Sequence, residues 1–163
     1  MESPIAVANF FISKSFDTGI EVTPMKVLKL VYISHGWNLG LTSEPLINEA
    51  IQAWKYGPVI ESVYTEFKEY RNAKITALGS IFSMDNNDFR VMTPQVSGHI
   101  DLLEKIWEVY KDYSGLQLST LTHQQGTPWD IVWNQNGGSK TMGAIISNDI
   151  IEQHYKTKIS NVA

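Results

Sequence analysis

Four histidines, His35, His99, His123 and His154, and 17 acidic side chains are the groups in this 163-residue chain most able to move protons or hold a metal. Their spacing favours neither. No H-E-x-x-H or similar helical interval brings two histidines to one face, so no metal site is expected. His35 sits in an apolar run and reads as a core histidine satisfied by hydrogen bonds. His123 precedes Pro128, Trp129 and Asp130, and two readings stay open for it. One is an imidazole meeting the last carbonyls of a helix. The other is a small-ligand or hydrolytic site in which His35, His123 and Asp130 converge beside Trp37 or Trp129. Gly137–Lys140 (GGSK) lacks the spacing of a phosphate-binding loop and reads as a surface loop, and no G-x-S-x-G elbow is present. No catalytic residue or cofactor is assigned, and the chain is not expected to be an enzyme.

The densest feature is aromatic. AWKYGPV, from Ala53 to Val59, crowds Trp54, Lys55 and Tyr56 against Gly57-Pro58, with proline suited to the first turn of a following helix. PWDIVW, from Pro128, forms a second cluster with Trp129 and Trp133. Rings beside Gly and Pro breakpoints are either core packing or interface anchors, since aromatics dominate both.

Periodicity places these corners among helices. Pro4 to about Phe16 reads as a helix stopped at Gly19. Thr23 as N-cap and Pro24 at the first position open a second helix, apolar nearly all round and therefore central, with Leu30, Val31, His35 and Trp37 in its core. Leu46–Trp54 is undecided between extended and irregular chain. From Pro58, the stripe Ile60, Val63, Tyr64, Phe67 and Tyr70 predicts an amphipathic helix. DNND at 85–88 suggests a turn between two short strands. Ile100 to Tyr113, with Trp107 inward and an Asp101–Lys105 pair outward, predicts a long helix. Ser114 and Gln117 form a capping box before the next one, and Ser147 caps the last. The expected class is mainly α: a compact single-domain helical bundle, residues 1–163, around a buried central helix (about 24–41), with a small β-hairpin or irregular insertion near 75–93.

Composition bounds the function. The chain is 43% hydrophobic and 11% aromatic, has no cysteine, and carries a net charge of −4. Absence of cysteine removes thiolate chemistry and disulfides and suits a reducing, cytoplasmic location. No Lys/Arg cluster argues for direct nucleic-acid binding. The N-terminus fails as a signal peptide, and no uncharged run reaches a membrane span.

The run from Lys29 to Phe67 resembles the Panacea-domain family. The resemblance rests on K-L-V-Y and G-W-x-L at Lys29–Leu39, Pro45-Leu46, the A-W-K-Y-G-P-V corner, and Val63-Tyr64 with Phe67. Leu118 to Trp129, Ile150-Ile151 and Tyr155 are similar to the family's C-terminal half. His35 stands where the family commonly has glutamine, and Asn38 where it commonly has histidine. The resemblance implies an antitoxin that binds a cognate toxin encoded by an adjacent gene, frequently in phages or prophages. A phage-associated protein acting on a host protein is the alternative. Expected partner contacts are Trp54, Lys55, Tyr56, Gly57, Pro58, His123, Trp129 and Asp130. Core support is expected from Leu30, Val31, His35, Trp37, Val63, Tyr64, Phe67 and Trp107. Nothing in the sequence fixes an oligomeric state.

Overall fold

The computed structural model describes residues 1–85 and 87–162. Helix α1 spans Pro4–Thr18 and ends where Gly19 turns left-handed at φ 76°. Helix α2, Pro24–Thr42, starts as predicted: the Thr23 hydroxyl accepts from the Lys26 N–H and proline occupies the first turn. Helices α1, α4 (Ile100–Tyr110), α5 (Gly115–Thr122) and α7 (Asn148–Val162) all pack on α2. That explains why its apolar residues wrap the cylinder. Ser114 and Gln117 form both halves of the capping box on α5, and the Ser147 hydroxyl accepts from the Ile150 N–H. Asp101 and Lys105 make no ion pair among the described residues; Glu104 instead binds Lys14 at 2.8 Å, joining α4 to α1.

The mainly helical class holds, with strands added. The undecided segment becomes β1 (Ile51–Trp54), pairing antiparallel with β2 (Gly57–Val59) and with β5 (Ile145–Ile146) in the order β2-β1-β5. Pro58 therefore lies in a strand, opposite Ala53, instead of opening a helix. An edge strand tolerates proline, because the missing N–H would have faced outward. Helix α3 begins only at Glu61 and ends at Phe67, with a 3-10 turn over Lys68–Tyr70. Val63 and Phe67 are buried as expected, but Tyr64 is 42% exposed, which corrects its assignment to the core. One residue past Val63 is about 100° round a helix, and that rotation carries the ring off the buried face.

The expected hairpin near 75–93 is present as β3 (Ile81–Asp85) and β4 (Asp88–Met92). Within its DNND turn, Asn86 lies outside the described residues. The GGSK segment holds a tight 3-10 turn, Gly138–Lys140, with Gly138 buried against Val132. Helix α6 is a single turn, Pro128–Asp130, continuing into a π-helical turn, Ile131–Gln135. Among the described residues no helix is long and apolar enough to cross a membrane.

The core holds Leu30, Val31, Val63, Phe67 and Trp107, each at most 2% exposed. Trp37 is half-buried, its ring edge-on to Tyr155 at 5.2 Å. Tyr155 of α7 seats directly over Gly36 and Gly40 of α2; a Cβ at Gly36 would lie 2.1 Å from its ring. Glycine is required there by proximity, not by backbone angle. His35 is fully buried: its Nδ1 accepts from the Leu46 and Ile47 N–H groups at 3.3 and 3.4 Å, leaving Nε2–H to donate to Asn148 Oδ1 at 2.9 Å. This fixes the neutral tautomer, as the core reading expects. Burial pushes its pKa below the ordinary 6.5, against a smaller upward pull from Asn148.

Two outcomes follow from this packing. Gly36→Ala should cost about 2 kcal/mol by overpacking, part of it regained when Tyr155 is shortened to alanine in the same chain, measured as a double-mutant cycle of urea unfolding. The unfolded His35 ring takes a proton near pH 6.5 that the folded ring refuses. Stability is therefore complete above that pH and falls below it, by up to about 1.4 kcal/mol per pH unit, until the folded pKa is passed. His154, its pKa also lowered, by burial and by Lys158, adds with the same sign. Urea titrations at about pH 7.5 and 5.5 should show this loss reduced in His35→Gln.

Candidate functional site

The aromatic corner is a β-hairpin whose tip is Lys55-Tyr56, between the paired residues Trp54 and Gly57. Neither tip residue has positive φ; Gly57 supplies it, at 117°. A side chain at Gly57 would also collide with the Lys29 ammonium, 2.8 Å from its Cβ position. The sequence folds here because glycine meets both constraints at once.

Three side chains from three helical elements hold this hairpin by its carbonyls. Trp129 Nε1 donates to the Trp54 carbonyl at 2.6 Å, the Ser119 hydroxyl to that of Tyr56 at 2.7 Å, and Lys29 Nζ to that of Pro58 at 2.8 Å. With the backbone held, the tip side chains are left outside. Tyr56 is 63% exposed, and Lys55 lies over its ring at 5.5 Å. Trp54 is half-buried, its indole N–H donating to Gln52 at 2.8 Å and its ring edge-on to Tyr64 at 4.8 Å.

The expected contact residues thus divide into two groups. Lys55, Tyr56 and part of Trp54 form a surface, while Gly57, Pro58, Trp129 and Asp130 are buried beneath it. Trp129 stacks on Trp133 at 5.6 Å and meets the half-buried His123 edge-on at 5.3 Å. His123 is the C-cap of α5, its backbone N–H bonded to the Thr120 carbonyl, but its ring meets the Ser119 hydroxyl, 3.5 Å from Nδ1, and not the last carbonyls of the helix. Asp130 is occupied by its own turn: it accepts from the Gly126 N–H at 2.8 Å, Asn134 at 2.7 Å and Gln135 at 3.2 Å. These bonds, the Gly126 N–H foremost, hold its carboxyl below the usual carboxylate range. His35, His123 and Asp130 have separate partners, and among the described residues no hydrogen bond joins His123 to Asp130. The structure does not assemble them into one centre, nor does it gather His, Asp and Glu side chains, among the described residues, into a group of three able to hold a metal.

The hairpin tip is a ridge between two recesses. On one side a groove of about 470 Å³ runs between Met25, Leu28 and Lys29 of α2, the tip, and Tyr64, Lys68 and Arg71 beyond. On the other a shallower recess of about 780 Å³ reaches Trp133 and the 139–143 segment. Lys29 is 2% exposed, and burial lowers its pKa from 10.5 to about 7. Its nitrogen is committed to the Pro58 carbonyl, so the buried amine first of all fastens the hairpin. Sequence reading missed Lys29, Lys68 and Arg71 as site residues. The signal for Lys29 was a charged residue in the mainly apolar α2, shared with Lys26; for the other two, which lie past the end of α3, there was none.

The family model for the SocA-like antitoxin Panacea domain matches residues 27–130, a stretch containing the hairpin, helix α3 and all three carbonyl donors. The chain is similar to Antitoxin SocA of Caulobacter vibrioides (strain NA1000 / CB15N), 27% identical over 154 residues, which covers 93% of this chain and 81% of that protein. No solved structure matches it. With the family model spanning well over half of its length, the chain belongs to the SocA-like antitoxin family of Panacea domains.

Proposed function

We propose that this protein is an antitoxin that neutralises a toxin by direct protein–protein binding, the toxin being encoded by an adjacent gene, and that it acts in the cytoplasm without catalysing a reaction. We read residues 1–163 as one domain, a helical bundle organised by α2 that presents the hairpin tip. The observation that carries the reading is the tip itself. Lys55 and Tyr56 are exposed on a backbone held at three carbonyls, so a partner meets aromatic surface already ordered. Preordered aromatics are the commonest interface anchors, because little conformational entropy is lost when they dock. The family and the similarity to Antitoxin SocA support the nature of the partner. A hydrolytic reading has less support, since each Asp130 oxygen already accepts a hydrogen bond.

The neighbouring reading frame should be toxic when expressed alone and harmless with this chain. Tyr56→Ala and Lys55→Glu should each weaken binding to its product by about tenfold or more and abolish protection, with the helical CD spectrum unchanged. Protection that survives both changes would remove the tip from the interface. A harmless neighbour would instead favour a phage-derived protein acting on a host protein.

A further inference from the structure

The groove beside the hairpin tip reverses the charge of the chain around it. The protein has 17 acidic against 13 basic residues, yet Lys29, Lys55, Lys68 and Arg71 line this groove and no Asp or Glu does. Its floor is aliphatic, from Leu28 and Val59, and its wall is built of the rings of Trp54, Tyr56 and Tyr64. Lys29 lies at the back of the groove with its nitrogen bonded to the Pro58 carbonyl at 2.8 Å, while Lys55, Lys68 and Arg71 are exposed along it.

We propose that this groove docks a short acidic segment of a partner polypeptide, with an aromatic or aliphatic side chain against the wall of three rings and carboxylates against Lys68, Arg71 and Lys55. The proposal rests on the protein-binding reading above and names the chemistry of the partner's contact. A groove of about 470 Å³ takes a few side chains, not a folded surface. Nucleic acid is the poorer match. Its affinity comes from neutralising many phosphates, and three exposed cations, Lys55, Lys68 and Arg71, on a chain of net charge −4 neutralise few. An acidic segment needs only local complementarity, and apolar burial supplies affinity that exposed charge pairs do not.

The test uses random copolymers of glutamate and tyrosine, titrated into the purified chain by calorimetry and tryptophan fluorescence. The copolymer should bind, about tenfold more tightly than polyglutamate, and weaken about tenfold between roughly 50 and 200 mM salt. Lys68→Glu/Arg71→Glu, both exposed positions, should lose tenfold or more in affinity with an unchanged CD spectrum. Tyr64→Ala should lose the advantage of the copolymer over polyglutamate. Lys105→Glu, exposed on α4, should bind as the unaltered chain does. No binding by the unaltered chain, equal loss in Lys105→Glu, or tighter binding of an oligothymidylate of about 20 nucleotides would overturn the proposal. Co-expression separates the two readings. If Lys68→Glu/Arg71→Glu still neutralises the neighbouring product, the groove proposal fails and the antitoxin reading stands; copolymer binding beside a harmless neighbour gives the reverse.

Discussion

The hydrogen bonds from Trp129, Ser119 and Lys29 to the carbonyls of Trp54, Tyr56 and Pro58 are the constraint on which the site depends. With strands of only two to four residues, the β2-β1-β5 sheet gains little from its own ladder, and the helical donors add to what holds its shape. Each bond comes from a different helical element, and together they tie the hairpin to α6, α5 and α2. An indole N–H is a donor that never accepts, which suits Trp129 to fixing a carbonyl. The Lys29 bond sets a buried amine beneath the groove, where burial works against its charge and lowers its pKa to about 7.

The same device recurs wherever the chain is irregular. Asn9 of α1 donates to the carbonyls of Gly79 and Pro94 and accepts from the Gly79 N–H, gripping both ends of the β3–β4 hairpin. Glu2 accepts from the Ser97 and Gly98 N–H groups and from His99 at the start of α4. His35 accepts from Leu46 and Ile47 before β1. Buried backbone outside helices and sheets must find partners or pay the cost of lost water. In this fold, buried polar side chains supply them.

What was legible in the sequence was local. The Thr23-Pro24 start, the Gly19 stop, the Ser114–Gln117 box and the DNND-centred hairpin each follow from a few adjacent residues, and each matches the structure, Asn86 aside. Pro58 was misplaced because a proline-led helix and an edge strand look alike until the neighbours of the strand are known. Tyr64 was misplaced because α3 is too short for its stripe to be set by periodicity alone. For the site, Lys55 and Tyr56 were visible as an unusual corner. The roles of Ser119 and Trp129 were hidden, since donors 63 and 75 residues away along the chain leave no local pattern. The groove was invisible for the same reason: α2, the hairpin and the 68–71 segment meet only in three dimensions.

Holding the hairpin by its main chain has a corollary for its tip. None of the three fastened carbonyls depends on which side chains occupy positions 55 and 56, so substitutions at these two positions leave the hairpin's anchorage in place.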